Sequence, residues 1–210
     1  MPKPNTGFGF FLFKGAGAIM DKRTQRKKVL SLLQEMTATE YKQKSAIIVD
    51  RLLEDPAFLA AQTIGITISA FPEVATWDLI EKCWGRGKRV VVPKCHRVSR
   101  TLDFHAIEHK NQLEVVYMNL QEPIVSKTLY IEPKDIDLLI VPGVVFSKEG
   151  FRIGFGGGYY DRFLASFSGA TRSLAFDCQV AESIPVEPHD LPVQRIFTES
   201  KIITPKAVDR

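Results

Sequence analysis

Residues 137–164 read DLLIVPGVVFSKEGFRIGFGGGYYDRFL, and this run decides how the rest of the chain is read. Its opening, DLLIVPG (137–143), is almost continuously apolar and is closed by Pro142 and Gly143. A short apolar run so bounded is a strand buried on both faces. Its end continues as GYYDRFLASF (158–167), with Tyr160, Phe163, Leu164 and Phe167 along one side of a helix. Between the two, five glycines fall in nine positions, at Gly150, Gly154, Gly156, Gly157 and Gly158. An ordered glycine costs roughly 0.5–1 kcal/mol relative to alanine, so a loop this rich needs a compensating role. Strand, glycine loop and helix in that order let backbone N–H groups cradle phosphate, with the loop leaving the carboxyl end of a strand.

Working outward, DKRTQRKKVLSLLQEM from Asp21 reads as a helix, with Val29, Leu33 and Met36 on one face beside Leu30 and Leu32. Lys22, Arg23, Arg26, Lys27 and Lys28 crowd its first turns. Cations there oppose the macrodipole, so the cluster is either a solvated basic face or a clamp for an anion outside the helix. Thr37 and Glu40 make a capping box for a second helix that buries Tyr41, Ser45, Ile48 and Leu52 and ends near Asp55-Pro56. TIGITIS (63–69), RVVVP (89–93), DFHAI (103–107), TRSLAFD (171–177) and RIFTE (195–199) read as strands. Another helix runs from Thr76 to Trp84, where Gly85-Arg86-Gly87 stops it. Strands alternating with helices predict one α/β domain over residues 21–210, a mostly parallel central sheet covered by helices on both faces. No internal repeat or linker divides it.

Composition narrows the partners. With 45% hydrophobic and 25% charged residues the chain is an ordinary globular one, and its net charge of +4 suits small anions without demanding nucleic acid. Cys83, Cys95 and Cys178 have no paired spacing, which argues against a disulfide framework or structural zinc and for free thiols in the cytoplasm. Residues 1–20 carry four phenylalanines and no acid. Lys14 interrupts the apolar run a signal peptide needs, a membrane span needs greater length, and the arginines of an organellar presequence are missing. They read as a poorly ordered extension. His96, His105, His109 and His189 lack metal-ligand spacing.

The glycine loop matches neither standard phosphate fingerprint. No lysine follows any of its glycines, as a P-loop requires, and Tyr159 stands where G-x-G-x-x-G needs its third glycine. It has its own additions instead. Arg152 is a cation able to grip phosphate or carboxylate bidentately, and Tyr159 and Tyr160 offer flat surfaces and hydroxyls. Asp161 is either favourable charge in a helix's first turn or a carboxylate toward Mg²⁺.

VPGVVFSKEGFRIGFGGGYYDRFL resembles the signature of the 5-formyltetrahydrofolate cyclo-ligase family, also called 5,10-methenyltetrahydrofolate synthetases. The basic first helix, ISAFPEVAT, VVVPK, NLQEP and PHDLP follow in family order, and the resemblance covers residues 21 to about 200. It implies conversion of 5-formyltetrahydrofolate into 5,10-methenyltetrahydrofolate, consuming ATP and requiring Mg²⁺. Carried over residue by residue, it implies that Arg152, Ile153, Gly154, Phe155, Gly156, Gly157, Gly158, Tyr159 and Tyr160 wrap the ATP phosphates. Arg152, Tyr159 and Tyr160 also approach the formyl group. Lys22, Arg23 and Arg26 join the nucleotide site, and Asp161 and Asp190 match carboxylates associated with the metal. Glu73 corresponds to an acid contacting the pteridine, and Ile68 to an apolar wall of that pocket. Met118 falls where other members place an aromatic ring, so it keeps an apolar contact without stacking.

Two departures stand out. Gln194 replaces an aspartate that many members carry after PHDLP, and Phe155 stands where relatives have tyrosine or a basic residue. The cation beside the loop is then expected from Arg152, Lys94 or the first helix. The family reading implies a monomer that binds neither nucleic acid nor membrane. The alternatives are another phosphate-handling enzyme on the same scaffold, or a non-catalytic RNA-binding relative.

Overall fold

A computed structural model describes residues 20–117 and 120–206. The amino-terminal extension and Met118 therefore lie outside the described residues. The described residues form five α-helices: α1 (Lys22–Gln34), α2 (Ala38–Leu53), α3 (Pro56–Ala60), α4 (Trp77–Gly85) and α5 (Tyr159–Leu164). The strands are β1 (Thr63–Gly65), β2 (Arg89–His96), β3 (Thr101–Ile107), β4 (Leu113–Val115), β5 (Gln121–Pro123), β6 (Leu129–Ile131) and β7 (Leu138–Ile140). They continue with β8 (Val145–Ser147), β9 (Arg152–Ile153), β10 (Ala170–Leu174), β11 (Val180–Ala181), β12 (Arg195–Phe197) and β13 (Ile202–Ile203).

Eight strands form the main sheet in the order β13-β12-β10-β7-β1-β2-β3-β6. The central strands β12, β10, β7, β1 and β2 run parallel, and β13, β3 and β6 join antiparallel at the two edges. Alternation along the parallel strands builds two cores. Ile64, Val90, Val92, Leu138 and Ile140 face Val29 and Leu33 of α1, Ile48 and Leu52 of α2, and Leu79 and Ile80 of α4. Val91, Leu139 and Val141 face the other way, onto Phe163 and Leu164 of α5 and onto Val193. The expected three-layer architecture is there, with α5 and returning loops making the thinner layer.

Local chemistry sets the helix ends. Asp21 caps α1 by accepting from the N–H groups of Arg23 and Thr24, and Thr37 and Glu40 form the capping box of α2. At Asp55-Pro56 the chain does not simply leave the helix: Asp55 caps α3, with Pro56 at the first helical position. The same carboxylate, fully buried, accepts from Arg172 at 3.0 Å and Arg195 at 2.9 Å. Gln194 belongs here too. Its Oε1 accepts from the Thr171 N–H at 3.2 Å and from Arg172 Nη1 at 3.0 Å. The departure from the family aspartate thus lies at the start of β12, in the sheet's own hydrogen bonding.

The predicted strand 137–143 shortens to Leu138–Ile140, and the route onward differs from the expected one. Before the glycine loop the chain makes the antiparallel pair β8–β9, and β11 adds to β8 in a second, three-stranded sheet. The loop therefore leaves β9. The α5 helix it enters is six residues long, so little macrodipole accumulates at its start.

Candidate active site

In this sheet β1 leads to β2 on one side, while β7 leads away through β10 and β12 on the other. Ligands of open α/β sheets bind outside the carboxyl ends of the strands at such a switch point. A small cavity of about 30 Å³ lies there. Thr67, Ser69, Glu73 and Thr76 line it from the β1 side, Pro142 and Gly143 from the β7 side. The Thr76 hydroxyl donates to the Thr67 carbonyl and accepts from the Ser69 N–H, so it stiffens the loop after β1 and does not cap α4. Glu73 sits half-buried on that loop, and burial pushes its carboxyl up to about 7, with a backbone hydrogen bond from Ala70 opposing. Ile68 is buried in the core beside it.

The glycine loop lies beyond Gly143, against which Arg152 packs. Gly156 and Gly158 have φ of 97° and 68°, a left-handed backbone that only glycine adopts without strain. Gly154 is under neither demand: its φ is ordinary, and a Cβ there would meet no atom within 4 Å. Open space beside it is what its glycine preserves. Arg26 reaches from α1 to donate from Nε to the Gly154 carbonyl at 2.7 Å, and Arg162 donates to the Gly158 carbonyl at 2.9 Å. Two arginines thus hold loop carbonyls. Among the described residues the N–H groups of 155–158 meet no acceptor. Successive free N–H groups in such a turn form an anion nest. Phe155, at the tip, is 61% exposed.

Arg152 is buried directly behind this loop, its Cβ 3.3 Å from where a Cβ on Gly143 would lie. Nη1 donates to the Leu191 carbonyl at 2.8 Å and Nη2 to Asp161 Oδ1 at 2.9 Å. Burial draws its pKa below the ordinary value while the Asp161 charge opposes, but a guanidinium stays charged at any working pH. The Tyr160 hydroxyl is buried and has no hydrogen-bond partner among the described residues. Burial raises its pKa, and Cys95, Glu73 and Arg152 all lie near enough for their charge to act on it. An unpartnered buried hydroxyl costs free energy unless a ligand completes it.

Lys22 joins α1 to the PHDLP loop. Its Nζ lies 2.7 Å from Asp190 Oδ2 and 3.1 Å from Glu187 Oε2. Burial works against the ammonium, but the two carboxylates outweigh it and raise its pKa. Burial likewise disfavours the Asp190 carboxylate, and hydrogen bonds from Lys22 and the Glu187 N–H outweigh it, lowering its pKa. Glu187, His189 and Asp190 bring ligand atoms within 4.8 Å of one another. Carboxylate oxygens are the ligands Mg²⁺ takes, and Lys22 shows that a cation sits there comfortably, so this group fits the metal the resemblance implies.

The structure thus gathers Lys22, Arg26, Arg152, the glycines, both tyrosines, Asp161 and Asp190 around one loop, with Glu73 and Ile68 on the adjoining flank. Arg23 is exposed, and its side chain has no partner among the described residues. Ile153 packs into the core, so only its backbone faces the loop. Lys94 is occupied by Glu114 at 2.8 Å and Glu122 at 3.1 Å. The cation beside Phe155 therefore comes from α1, as Arg26. Sequence reasoning missed Glu187, the Leu191 carbonyl and Gln179, whose amide donates to the carbonyls of Gly143 and Val144. Only Glu187 had a signal, an acid three residues before Asp190.

The chain is similar to known proteins along most of its length. The model of the 5-formyltetrahydrofolate cyclo-ligase family matches residues 18–199. The 5-formyltetrahydrofolate cyclo-ligase of Escherichia coli K12 is 32% identical over 182 residues, spanning 85% of this chain and 97% of the relative. Among solved structures, Aquifex aeolicus 5,10-methenyltetrahydrofolate synthetase superposes with a TM-score of 0.78 at 27% identity, covering 91% of this chain and 97% of that one. A Mycoplasma pneumoniae 5,10-methenyltetrahydrofolate synthetase shares the fold, with a TM-score of 0.70 at 23% identity, covering 86% and 99%. The family match spans nearly all the described residues, glycine loop and Glu73 flank included, and the chain belongs to the 5-formyltetrahydrofolate cyclo-ligase family.

Proposed function

We propose that this chain is an enzyme that cyclises 5-formyltetrahydrofolate to 5,10-methenyltetrahydrofolate, with ATP as phosphoryl donor and Mg²⁺ as its metal. The observation that carries the reading is Tyr160, a buried hydroxyl without a partner among the described residues that feels both Arg152 beside the glycine loop and Glu73 beside the switch-point cavity. A nucleotide flank and a folate flank that meet at one residue suit a transfer between the two ligands.

The formyl carbon is a poor electrophile, and its oxygen is a poor leaving group. That oxygen takes the γ-phosphoryl, releasing ADP. N10 of the same folate then bonds to the activated carbon and gives up its proton. The carbon–oxygen bond breaks as phosphate departs, and the ring is closed. Because N10 is intramolecular, the protein mainly positions the partners and stabilises charge. The free N–H groups of Phe155–Gly158 receive phosphate oxygens, while Arg26 keeps the loop in shape. Arg152 sets a fixed positive charge against the transferring group. The Tyr160 phenol, neutral at working pH, donates to an oxygen of the reacting centre, and Tyr159 backs the loop. Glu73, ionised, receives the paired N–H donors of the pteridine, with Ile68 as the wall below. Asp190 and Glu187 would hold Mg²⁺, which supplies neutralisation of phosphate charge.

The test is direct. Purified protein receives 5-formyltetrahydrofolate with ATP and Mg²⁺, and the long-wavelength absorbance of the methenyl product is followed. A rise that disappears when either ATP or Mg²⁺ is omitted supports the reading. A folded protein that gives no rise with all three present removes the folate assignment.

A further inference from the structure

A buried backbone donor at the wall of the switch-point cavity has no acceptor among the described residues: the N–H of Gly143. We propose that this N–H donates to the 4-oxygen of the pteridine, beside the paired donors that Glu73 receives, and that Gln179 is the residue that positions it.

The N–H groups on either side are occupied. Val141 donates to the Arg172 carbonyl at 2.7 Å and Val144 to the Ile153 carbonyl at 2.8 Å, while Pro142 has no N–H to give. Buried backbone N–H groups are almost always paired, so one left open at a cavity wall points to a ligand. Gly143 lines the cavity from the β7 side and Glu73 from the β1 side. One edge of a pteridine carries two donors, the 2-amino group and N3–H, and next to them an acceptor, the 4-oxygen. A carboxylate on one wall and an N–H on the other match that order of groups. Gln179, 2% exposed, lies in the turn after β10. Its Oε1 accepts from the Phe176 N–H at 2.8 Å, which fixes the orientation of the amide. Its Nε2 then donates to the Gly143 carbonyl at 3.2 Å and the Val144 carbonyl at 3.1 Å. Both amide hydrogens are used, so Gln179 acts through the turn it holds. Packing holds that turn as well: a Cβ on Gly143 would lie 2.7 Å from the Phe146 ring.

This rests on the folate reading, so the experiment watches the Gly143 amide and folate binding separately. Gly143 is the only glycine in the chain that follows a proline. Proline labelled with ¹³C at the carbonyl and glycine labelled with ¹⁵N therefore single out its amide by NMR. Saturating 5-formyltetrahydrofolate shifts the Gly143 proton downfield and slows its exchange with solvent about tenfold or more. Saturating 5-methyltetrahydrofolate, which keeps the 4-oxygen and lacks the formyl oxygen, does the same. Gln179→Met raises the folate KM about tenfold, the loss of one buried hydrogen bond, at an unaltered ATP KM, and the Gly143 shift shrinks. Gln179→Glu keeps the side chain's shape and its bond from Phe176 but cannot donate to the two carbonyls. It gives the same split and decides the matter where the methionine variant does not fold. A Gly143 amide that neither shifts nor gains protection in folate-saturated wild type overturns the inference. So does a response to the formyl compound alone, which moves the contact to the formyl oxygen. Equal losses toward folate and ATP in the variants overturn the positioning role of Gln179. A wild-type protein that binds no folate sinks the functional reading itself.

Discussion

Nζ of Lys22 lies 2.7 Å from Oδ2 of Asp190, and this contact fastens the first turn of α1 to the loop that carries Leu191, the anchor of Arg152. A basic helix whose cations oppose its own dipole is thereby given a use. Lys22 and Arg26 are spent on tertiary contacts, while Arg23, Lys27 and Lys28 stay on the solvent side.

Lys22→Met lowers stability at neutral pH by about 1–2 kcal/mol, because it leaves Asp190, 9% exposed, facing Glu187 without a cation. The effect depends on pH in a defined way. Asp190 is held below its ordinary 3.8, so its share is whole above that value and is lost as acid protonates the folded carboxylate. Lys22 is held above its ordinary 10.5, so its share is whole below that value and is lost as the pH rises through the raised one. Urea titrations at pH 7 and at pH 2 check this: the two proteins differ at the first and converge at the second.

The glycines separate by their backbone. Gly158→Ala forces a Cβ onto φ of 68° and destabilises the protein by about 1 kcal/mol or more. Gly154→Ala has ordinary φ and open space around the new methyl group, so stability stays within about 1 kcal/mol of wild type and rises if anything. The same methyl enters the space beside the free N–H groups, and nucleotide binding falls. Thermal unfolding paired with calorimetric titration of ATP distinguishes the two variants.

Glu73 has a carboxyl raised to about 7 by burial. As the ionised partner of the pteridine it is available above that pH, and folate affinity falls about tenfold for each unit below it. Stability runs the other way. The folded protein holds the proton more tightly than the unfolded chain, so ionisation above pH 7 costs on the order of 2–3 kcal/mol, and below pH 4.5 nothing is lost. Glu73→Gln therefore stabilises the protein at pH 8.5, has little effect at pH 4, and removes the pH dependence of folate binding. Denaturant melts and ligand titrations across this range check both signs.

Asp55 serves the fold away from the site. Asp55→Ala strips the carboxylate from Arg172, 8% exposed, and uncaps α3, for a loss of about 3–5 kcal/mol. Asn at 55 keeps the cap and loses less. Circular dichroism melts of the two variants test the ranking.

How much of this was legible follows from the range of each interaction. The α2 capping box joins Thr37 to Glu40, a turn apart, so the residue pattern is enough to see it. Buried strands such as Val90–Val92 advertise themselves by composition. The β8–β9–β11 sheet does not. Its strands are two or three residues long, too short for a period, and β11 pairs with β8 across a separation that no local pattern encodes. Gln194 shows the same limit: its place after PHDLP suggests the site, and its hydrogen bonds put it with Thr171 and Arg172.

The amino-acid sequence by itself determined the α/β class, the α2 capping box, the glycine loop and the family, because each is written in neighbouring residues or in one uninterrupted motif. The tertiary structure decided which charges meet. Lys22 with Asp190, Arg26 with the Gly154 carbonyl and Arg152 with Asp161 and Leu191 are pairings between elements distant in the chain or turned toward each other only by the fold. Charge attracts over several ångströms in any direction, so a list of acids and bases allows many pairings. Packing of α1 and α5 on opposite faces of one sheet brings these within reach.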